Sequence, residues 1–386
     1  MKSADWAGEG GSSALVRNKS KRAVFVLVPN LQPLDAISND VLGIHRILCR
    51  AGYDARIFAE EFNPVFGSLA AEARIESEEL WGDSAAILIY HHSIEWRRGE
   101  QILARSKNRI VIKHHNVTPP HFFSAYAQNY YRSCDGGVKA TARLARLRID
   151  FVWGDSQFNA DEFVRLGVPR KQCRVVPPMH RIEELGSTPF DSVVVGRYRG
   201  SEPNLLFVGA FRPNKGHFKA IETLAAYQSL ATRPARLILV GSFDPDLKMY
   251  REQLLQHARN LGVDSHLHLA HYVSSRQLRA YYHIASVFLC VSEHEGFCVP
   301  LAEAMYFRVP IVAWATTAVG ETCDDCGMVY EAFDAQALAE GIDECVTNRI
   351  VMRQLADRGR RRYESAFHPD ILEARLLAAI QEVEDL

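Results

Sequence analysis

Short, largely apolar runs of strand length recur along this chain, separated by segments of helical character, and nothing else limits its fold so tightly. In the first half they are AVFVLVP (23–29), YDARIFA (53–59), AAILIYH (85–91), RIVIKHH (109–115), DFVWGDS (150–156) and CRVVPP (173–178). A continuous apolar run, unlike an alternating one, marks a strand covered on both faces. Helical segments between them include one at about Asn39 to Ala51 and an arginine-bearing one at 137–148. Alternation of buried strands with helices predicts a parallel, doubly wound sheet.

The rhythm breaks over MHRIEELGSTPFDSVVVGRYRGSEPN (179–204), whose Gly, Pro and Ser mark a boundary. It restarts with LLFVGAF (205–211), RLILVGS (236–242), HLHLAHYV (266–273), SVFLCVS (286–292), PIVAWA (310–315) and MVY (328–330). Beyond Pro369, Ile371, Leu372, Leu376, Leu377, Ile380 and Val383 recur at helical spacing. The expected organisation is a flexible tail (1–22), a first α/β domain (23–187), a linker (188–204), a second α/β domain (205–367) and a closing helix (368–386). Ligands of open parallel sheets sit beyond the carboxyl ends of the strands, so the cleft between two facing domains is the expected site.

With 386 residues, 47% apolar and 24% charged, the chain can bury two cores. A net charge of −1 gives no electrostatic ground for a nucleic-acid partner, and none is expected. No apolar run reaches the roughly 18 residues that would span a bilayer, and the first 22 lack a secretory apolar stretch. The scattered cysteines, with Cys49, Cys290 and Cys298 in apolar settings, suit buried thiols, and the expected compartment is the cytosol. Cys323 and Cys326 have CxxC spacing, but no second pair in the sequence completes a zinc site.

Chemistry concentrates in EHEGFCVPLAEAMYFRVPIVA (293–313). The loop EHEGFCV follows the strand SVFLCVS, and Pro300 suits the start of a helix. Glu295 is therefore placed in a loop over the cleft and Glu303 in the first helical turn. Free backbone N–H groups around Gly296 to Leu301 form an anion site, and Gly296 lets the backbone approach a ligand. Carboxylates beside it can accept hydrogen bonds from sugar hydroxyls. Amides for an anion and glutamates for polyols describe a nucleoside diphosphate sugar. For Glu303 a second reading stands, that it only complements the positive end of the helix, worth under ~1 kcal/mol.

This stretch resembles the retaining glycosyltransferases of the two-domain GT-B type, especially family 4, whose hallmark is Glu-x7-Glu within E-G-F-G-x-P-x-x-E-A-M-A-x-G-x-P-V-V-A. The match runs through Glu295, Gly296, Phe297, Pro300, Glu303, Ala304, Met305, Pro310 and Ala313, with Cys298 and Arg308 replacing common glycines. The resemblance implies that Glu303 binds the ribose and Glu295 the transferred hexose, with Gly296, Phe297, Cys298, Val299 and Leu301 around the donor. A second family element, G-R-x-x-x-x-K-G, corresponds to FVGAFRPNKGHFKAIE: Lys215 then grips the diphosphate, and Arg212 is its candidate helper because Ala210 stands where the family's arginine often does. Tyr272 and Val273 in LAHYVSSRQL (269–278) correspond to the loop that cups the base. His266, His268 and His271 lack a carboxylate to complete a metal site and read as strand-edge residues.

In the first domain, IKHHNVTPPHFF (112–123) ends a strand at the cleft, and the resemblance assigns His115 a place near donor sugar and acceptor, with His114 on the opposite face. Asn116 and Thr118 read alternatively as caps for a helix near Pro119. The Gly-Gly loop of many relatives is absent: PNLQPLDAISNDVLG has Asn39 and Asp40, which either contact sugar or cap a helix. In GDSQFNADEF, Ser156 and Asn159 fall near the cleft, and Ser156 reads equally as a cap.

The resemblance implies retaining transfer of a hexose from a UDP- or GDP-sugar to a hydroxyl acceptor, saccharide or lipid-linked, in polysaccharide, lipopolysaccharide or glycolipid synthesis. No Asp-x-Asp follows a strand at the cleft, and no divalent cation or other cofactor is expected. A sugar-nucleotide 2-epimerase or sugar phosphorylase on the same architecture is the alternative. The basic segment Lys139, Arg143, Arg146 and Arg148, with Leu144 and Leu147, fits either weak peripheral contact with anionic lipid at the inner face of a membrane or a solvated helix face.

Overall fold

In the computed structural model, residues 22–33, 35–74, 77 and 80–386 are described, and the expected tail over 1–22 lies outside them except for Arg22. The first sheet contains β1 (Ala23–Leu31), β2 (Asp54–Phe62), β3 (Ala70–Glu72), β4 (Ile87–His92), β5 (Arg109–His114), β6 (Phe151–Gly154) and β7 (Cys173–Val175). They lie parallel in the order β3-β2-β1-β4-β5-β6-β7. The second contains β8 (Asn204–Val208), β9 (Arg236–Gly241), β10 (Leu267–His271), β11 (Val287–Cys290), β12 (Ile311–Trp314) and β13 (Met328–Tyr330), parallel in the order β10-β9-β8-β11-β12-β13. In each sheet the strand order reverses beside the first strand, between β1 and β4 or between β8 and β11. These are the switch points where α/β folds place ligands.

Every run expected to be a strand is one; the central strands are covered on both faces, while β2, β10 and β13 keep partly exposed residues. Val24, Val26, Ile57 and Ile87 pack under one helical layer, and Leu27, Leu88, Tyr90 and Ile112 under the other. β3 went unread in the sequence, being three residues long on the edge of the sheet.

The helices depart from expectation at their starts. The first spans Ala36–Arg50, because Asp35 caps it by accepting from the Ser38 amide at 2.8 Å. Asp40 is therefore inside the helix and fully buried, not a cap. The arginine-bearing helix begins earlier, at Gln128, and ends at Leu144. The stretch 179–204 contains two helices, Ile182–Ser187 and Ser192–Tyr198, the second capped by Asp191.

The last helix, Pro369–Glu384, returns to the first domain. Its Leu372, Leu376, Ile380 and Val383 share a core with Val24, Val26, Ile44 and Ile47. At its end the Arg109 guanidinium donates to the carbonyls of Val383 and Glu384 at 2.5 and 2.7 Å, satisfying groups a helix leaves open. The chain thus crosses between the domains twice.

Candidate active site

The loop after β11 and the loop after β8 meet at the carboxyl edge of the second sheet. Gly216 makes this approach possible: its φ is +71°, and a Cβ there would sit 1.9 Å from the Val291 carbonyl. Asn214 locks the two loops together, accepting through its carbonyl from the amides of Glu293 and His294 at 2.9 and 3.2 Å. Lys215 then extends along the loop and donates to both carboxylate oxygens of Glu295, each at 2.8 Å. Burial opposes the ammonium charge, but the Glu295 carboxylate outweighs it and raises the Lys215 pKa. An ammonium has three protons, so this bridge leaves one to offer an anion.

Past Glu295 the chain enters the helix Val299–Tyr306 through Cys298, whose φ of 72° is left-handed, a strained conformation for any residue but glycine. The cysteine fills a place where a glycine is easier, and its Sγ lies 3.9 Å from that of Cys290 in the core. Glu303 is the fifth residue of this helix, in its second turn rather than its first, so complementing the helix end does not explain it. Its Oε2 accepts from the Tyr282 hydroxyl at 2.5 Å, and burial raises its carboxyl pKa to about 6.

The first domain closes over this loop. A Cβ on Gly296 would lie 2.6 Å from the His115 carbonyl and 3.1 Å from Asn159 Nδ2, so only glycine fits between the domains. Asn116 is not a cap: it stands at φ 75°, its Oδ1 bonds His294 Nε2 across the cleft, and its amide donates to Asn159 at 3.1 Å. Burial lowers the His294 pKa to about 4. Ser156 does cap the helix Gln157–Arg165, accepting from the Asn159 amide. The amides of Gln157 and Phe158 at that helix start donate to Glu321 of the second domain at 2.7–3.3 Å.

His115 presents its carbonyl, not its ring, to Gly296. The ring is 4% exposed on its side-chain surface and turns into the first domain, where Nδ1 meets Asp155 at 2.9 Å and Nε2 meets His91 at 2.8 Å. His114 lies on the other face as expected, bonded to Glu162 at 2.8 Å. Around His115 is a cluster of Asp40, His91, Lys113 and Asp155. Of these the sequence singles out only Asp40, as a sugar contact or a cap, and not its place beside the other three. Lys113 is wholly buried, bonded to Asp155 and to the Val176 carbonyl. Burial works against the charge of Asp155, yet His115 and Lys113 overcome it and hold its pKa below the usual range. Burial raises that of Asp40. Asp40 Oδ2 stands 3.7–3.8 Å from His91, His115 and Lys113, a geometry with enough donors for a metal ion. The Lys113 ammonium already supplies positive charge there. A lysine inside an otherwise apolar run, on the same face as His115 two residues on, was the available signal.

Other expected residues fall further out. Arg212 is exposed and stacks over Tyr130 of the first domain, 5.4 Å from its centroid. Tyr272 is 73% exposed at φ 52°, its hydroxyl donating to the Phe243 carbonyl at 2.6 Å, and Val273 packs against the second core. Phe297, Cys298 and Leu301 are buried, while Val299 is half-buried. Two of the four cations of the basic segment are paired: Arg143 with Glu95 and Glu100, and Lys139 with Asp135, while Arg148 donates to the Asn108 carbonyl. No described helix is long and apolar enough to cross a membrane. Cys323 and Cys326 are buried, the latter's thiol donating to the Cys323 carbonyl at 2.7 Å.

Two facing parallel sheets with a closing helix that returns to the first define the GT-B architecture. HepE of Anabaena, solved with UDP and glucose, shares it with a TM-score of 0.73 over 94% of this chain and 100% of its own, at 15% identity. Within that architecture, residues 195–362 match the family described as "Glycosyl transferases group 1". The MMP alpha-(1->4)-mannosyltransferase of Mycolicibacterium hassiacum is 25% identical over 282 residues, 71% of this chain and 65% of the relative. The GDP-mannose:cellobiosyl-diphosphopolyprenol alpha-mannosyltransferase of Xanthomonas oryzae pv. oryzae is 34% identical over 184 residues, 45% of this chain and 43% of its own. The chain thus spans less than two thirds of the length of these curated relatives.

Proposed function

We propose that this protein is a retaining, family 4 type glycosyltransferase that moves a hexose from a UDP- or GDP-sugar to a hydroxyl of a saccharide or lipid-linked acceptor. The observation that carries this reading is the Lys215–Glu295 bridge. Eighty residues apart in sequence, the two are brought to the edge where β8 and β11 end, facing the first domain. In this reading Glu295 accepts from hexose hydroxyls, Glu303 from the ribose, and Lys215 turns its third proton to the diphosphate. Arg212 adds charge from the same loop.

The acceptor oxygen attacks the anomeric carbon from the face that the diphosphate leaves. The new C–O bond forms as the bond to the phosphate oxygen breaks, and the acceptor's proton passes to that oxygen. Lys215 and the amides at the start of the helix Val299–Tyr306 stabilise the developing negative charge. With those groups in place the reaction needs no divalent cation. His115, whose carbonyl borders Gly296, helps shape the acceptor side.

The test is incubation in EDTA with UDP-glucose or GDP-mannose, with and without free and polyprenyl-linked saccharides. Acceptor-dependent release of nucleoside diphosphate, with the anomeric configuration kept by NMR, is expected. Donor isomerised without acceptor would instead assign an epimerase. Activity abolished by EDTA and restored by Mn²⁺ would overturn the metal-free step.

A further inference from the structure

Tyr282 lies on the helix Ser275–Ile284 and is almost wholly buried, its ring stacked between Phe288 and Phe307 at centroid distances of 6.2 and 5.0 Å. Its hydroxyl is the only polar part, and that part points at Glu303. The oxygen lies 2.5 Å from Glu303 Oε2 and 3.4 Å from the Pro300 carbonyl. Glu303 Oε1 has no hydrogen-bond partner among the described residues. A phenol has one proton, so it can serve only one acceptor at a time. With Glu303 ionised, the proton bonds the carboxylate. With Glu303 protonated, the carboxyl can donate to the phenol oxygen while the phenol proton turns to Pro300.

We propose that Tyr282 is a positioning residue for the donor: it holds one oxygen of Glu303, leaving the other for the ribose hydroxyls, and keeps the carboxylate in its accepting form. This rests on the donor-binding reading given above. Burial disfavours the ionised carboxyl, and the Tyr282 hydroxyl favours it; no charged side chain acts on Glu303 appreciably. The ionisable groups on the elements packed against this helix are engaged elsewhere or are thiols: Arg308 pairs with Asp357, Arg360 with Glu364, Arg181 with Glu184, Glu183 accepts from the Tyr363 hydroxyl, Glu321 accepts from Gln157, and Cys290 and Cys298 face each other. Removing one hydroxyl therefore alters the balance at one carboxyl and little else. Phenylalanine keeps the ring stack.

Calorimetric titration with UDP-glucose and GDP-mannose from pH 5 to 8.5 tests this. Neither ligand has a terminal phosphate titrating in that window, so the profile reports the protein. Wild type should lose affinity as pH falls through about 6. In Tyr282→Phe that inflection should move up by about one pH unit, with Kd raised about fivefold near pH 6, approaching tenfold near pH 5, and nearly restored at pH 8.5. In Glu303→Gln the inflection should vanish. Weakening of Tyr282→Phe by the same factor at every pH, or an unmoved inflection, would overturn the inference while leaving the donor site standing. No binding of either ligand by wild type at any pH would overturn the donor-binding reading and this inference with it.

Discussion

The two edges that face each other across the cleft are both charged but are built on opposite terms. In the second domain, Lys215 and Glu295 form one pair at the edge of a sheet, still partly open, with one lysine proton unassigned. In the first, Asp40, His91, Lys113, His115 and Asp155 are closed in; Lys113 bonds both Asp155 and the Val176 carbonyl on the chain leading to the crossover, and Asp155 bonds His115 as well. Asp40 also accepts from the Met179 amide at 2.7 Å, on the stretch between β7 and the helix Ile182–Ser187. An open pair can exchange partners with a ligand. A closed cluster mainly fixes where strands, first helix and crossover sit.

This contrast predicts different losses. Lys215→Ala should lower turnover by roughly 100-fold or more, the scale of removing one group that stabilises transition-state charge, with the circular-dichroism melt little changed. A folded, fully active variant would erase the contrast. Lys113→Ala should do the reverse, leaving buried Asp155 with His115 as its one remaining charged partner, at a cost of up to about 3–5 kcal/mol, read as a lowered urea midpoint. If its activity falls while its stability holds, the first edge belongs to the chemistry as well.

Asn116→Gly sharpens the boundary between the edges. Glycine tolerates φ 75° but loses the bonds to His294 and Asn159. Activity should fall several-fold through poorer closure, with stability within about 1 kcal/mol. A separate effect concerns pH. Burial holds His294 and His180 at about 4 in the folded state against the ordinary 6.5. Depressed values favour the neutral folded form above the unfolded pKa, so stability should decline as pH falls from about 6.5 toward 4, by on the order of 1–3 kcal/mol. Melting temperatures across that range, in wild type and His294→Gln, measure it; a flat profile would contradict the assignment.

The same contrast explains what could be read in the sequence. The second edge is local: Glu295, Gly296, Cys298 and Glu303 lie in one stretch, and Lys215 lies in a loop of the same domain. The first edge is assembled from a helix, two strands and the loop after β6, so its members look like isolated polar residues in apolar runs. Tyr282 was invisible for a related reason, since a tyrosine in an amphipathic helix reads as core until the partner of its hydroxyl is known. Strands were legible because full burial writes itself as continuous apolar sequence. The destination of the closing helix was not, because an apolar stripe says that a helix is covered and not by which domain.

The central claim is that the Lys215–Glu295 edge is a donor cradle. Isothermal titration of UDP-glucose and GDP-mannose into wild type and Lys215→Ala, both in EDTA, tests it most directly. The account predicts 1:1 binding of one of the two to wild type and at least a tenfold loss in the variant. Equal affinity in both proteins would contradict it.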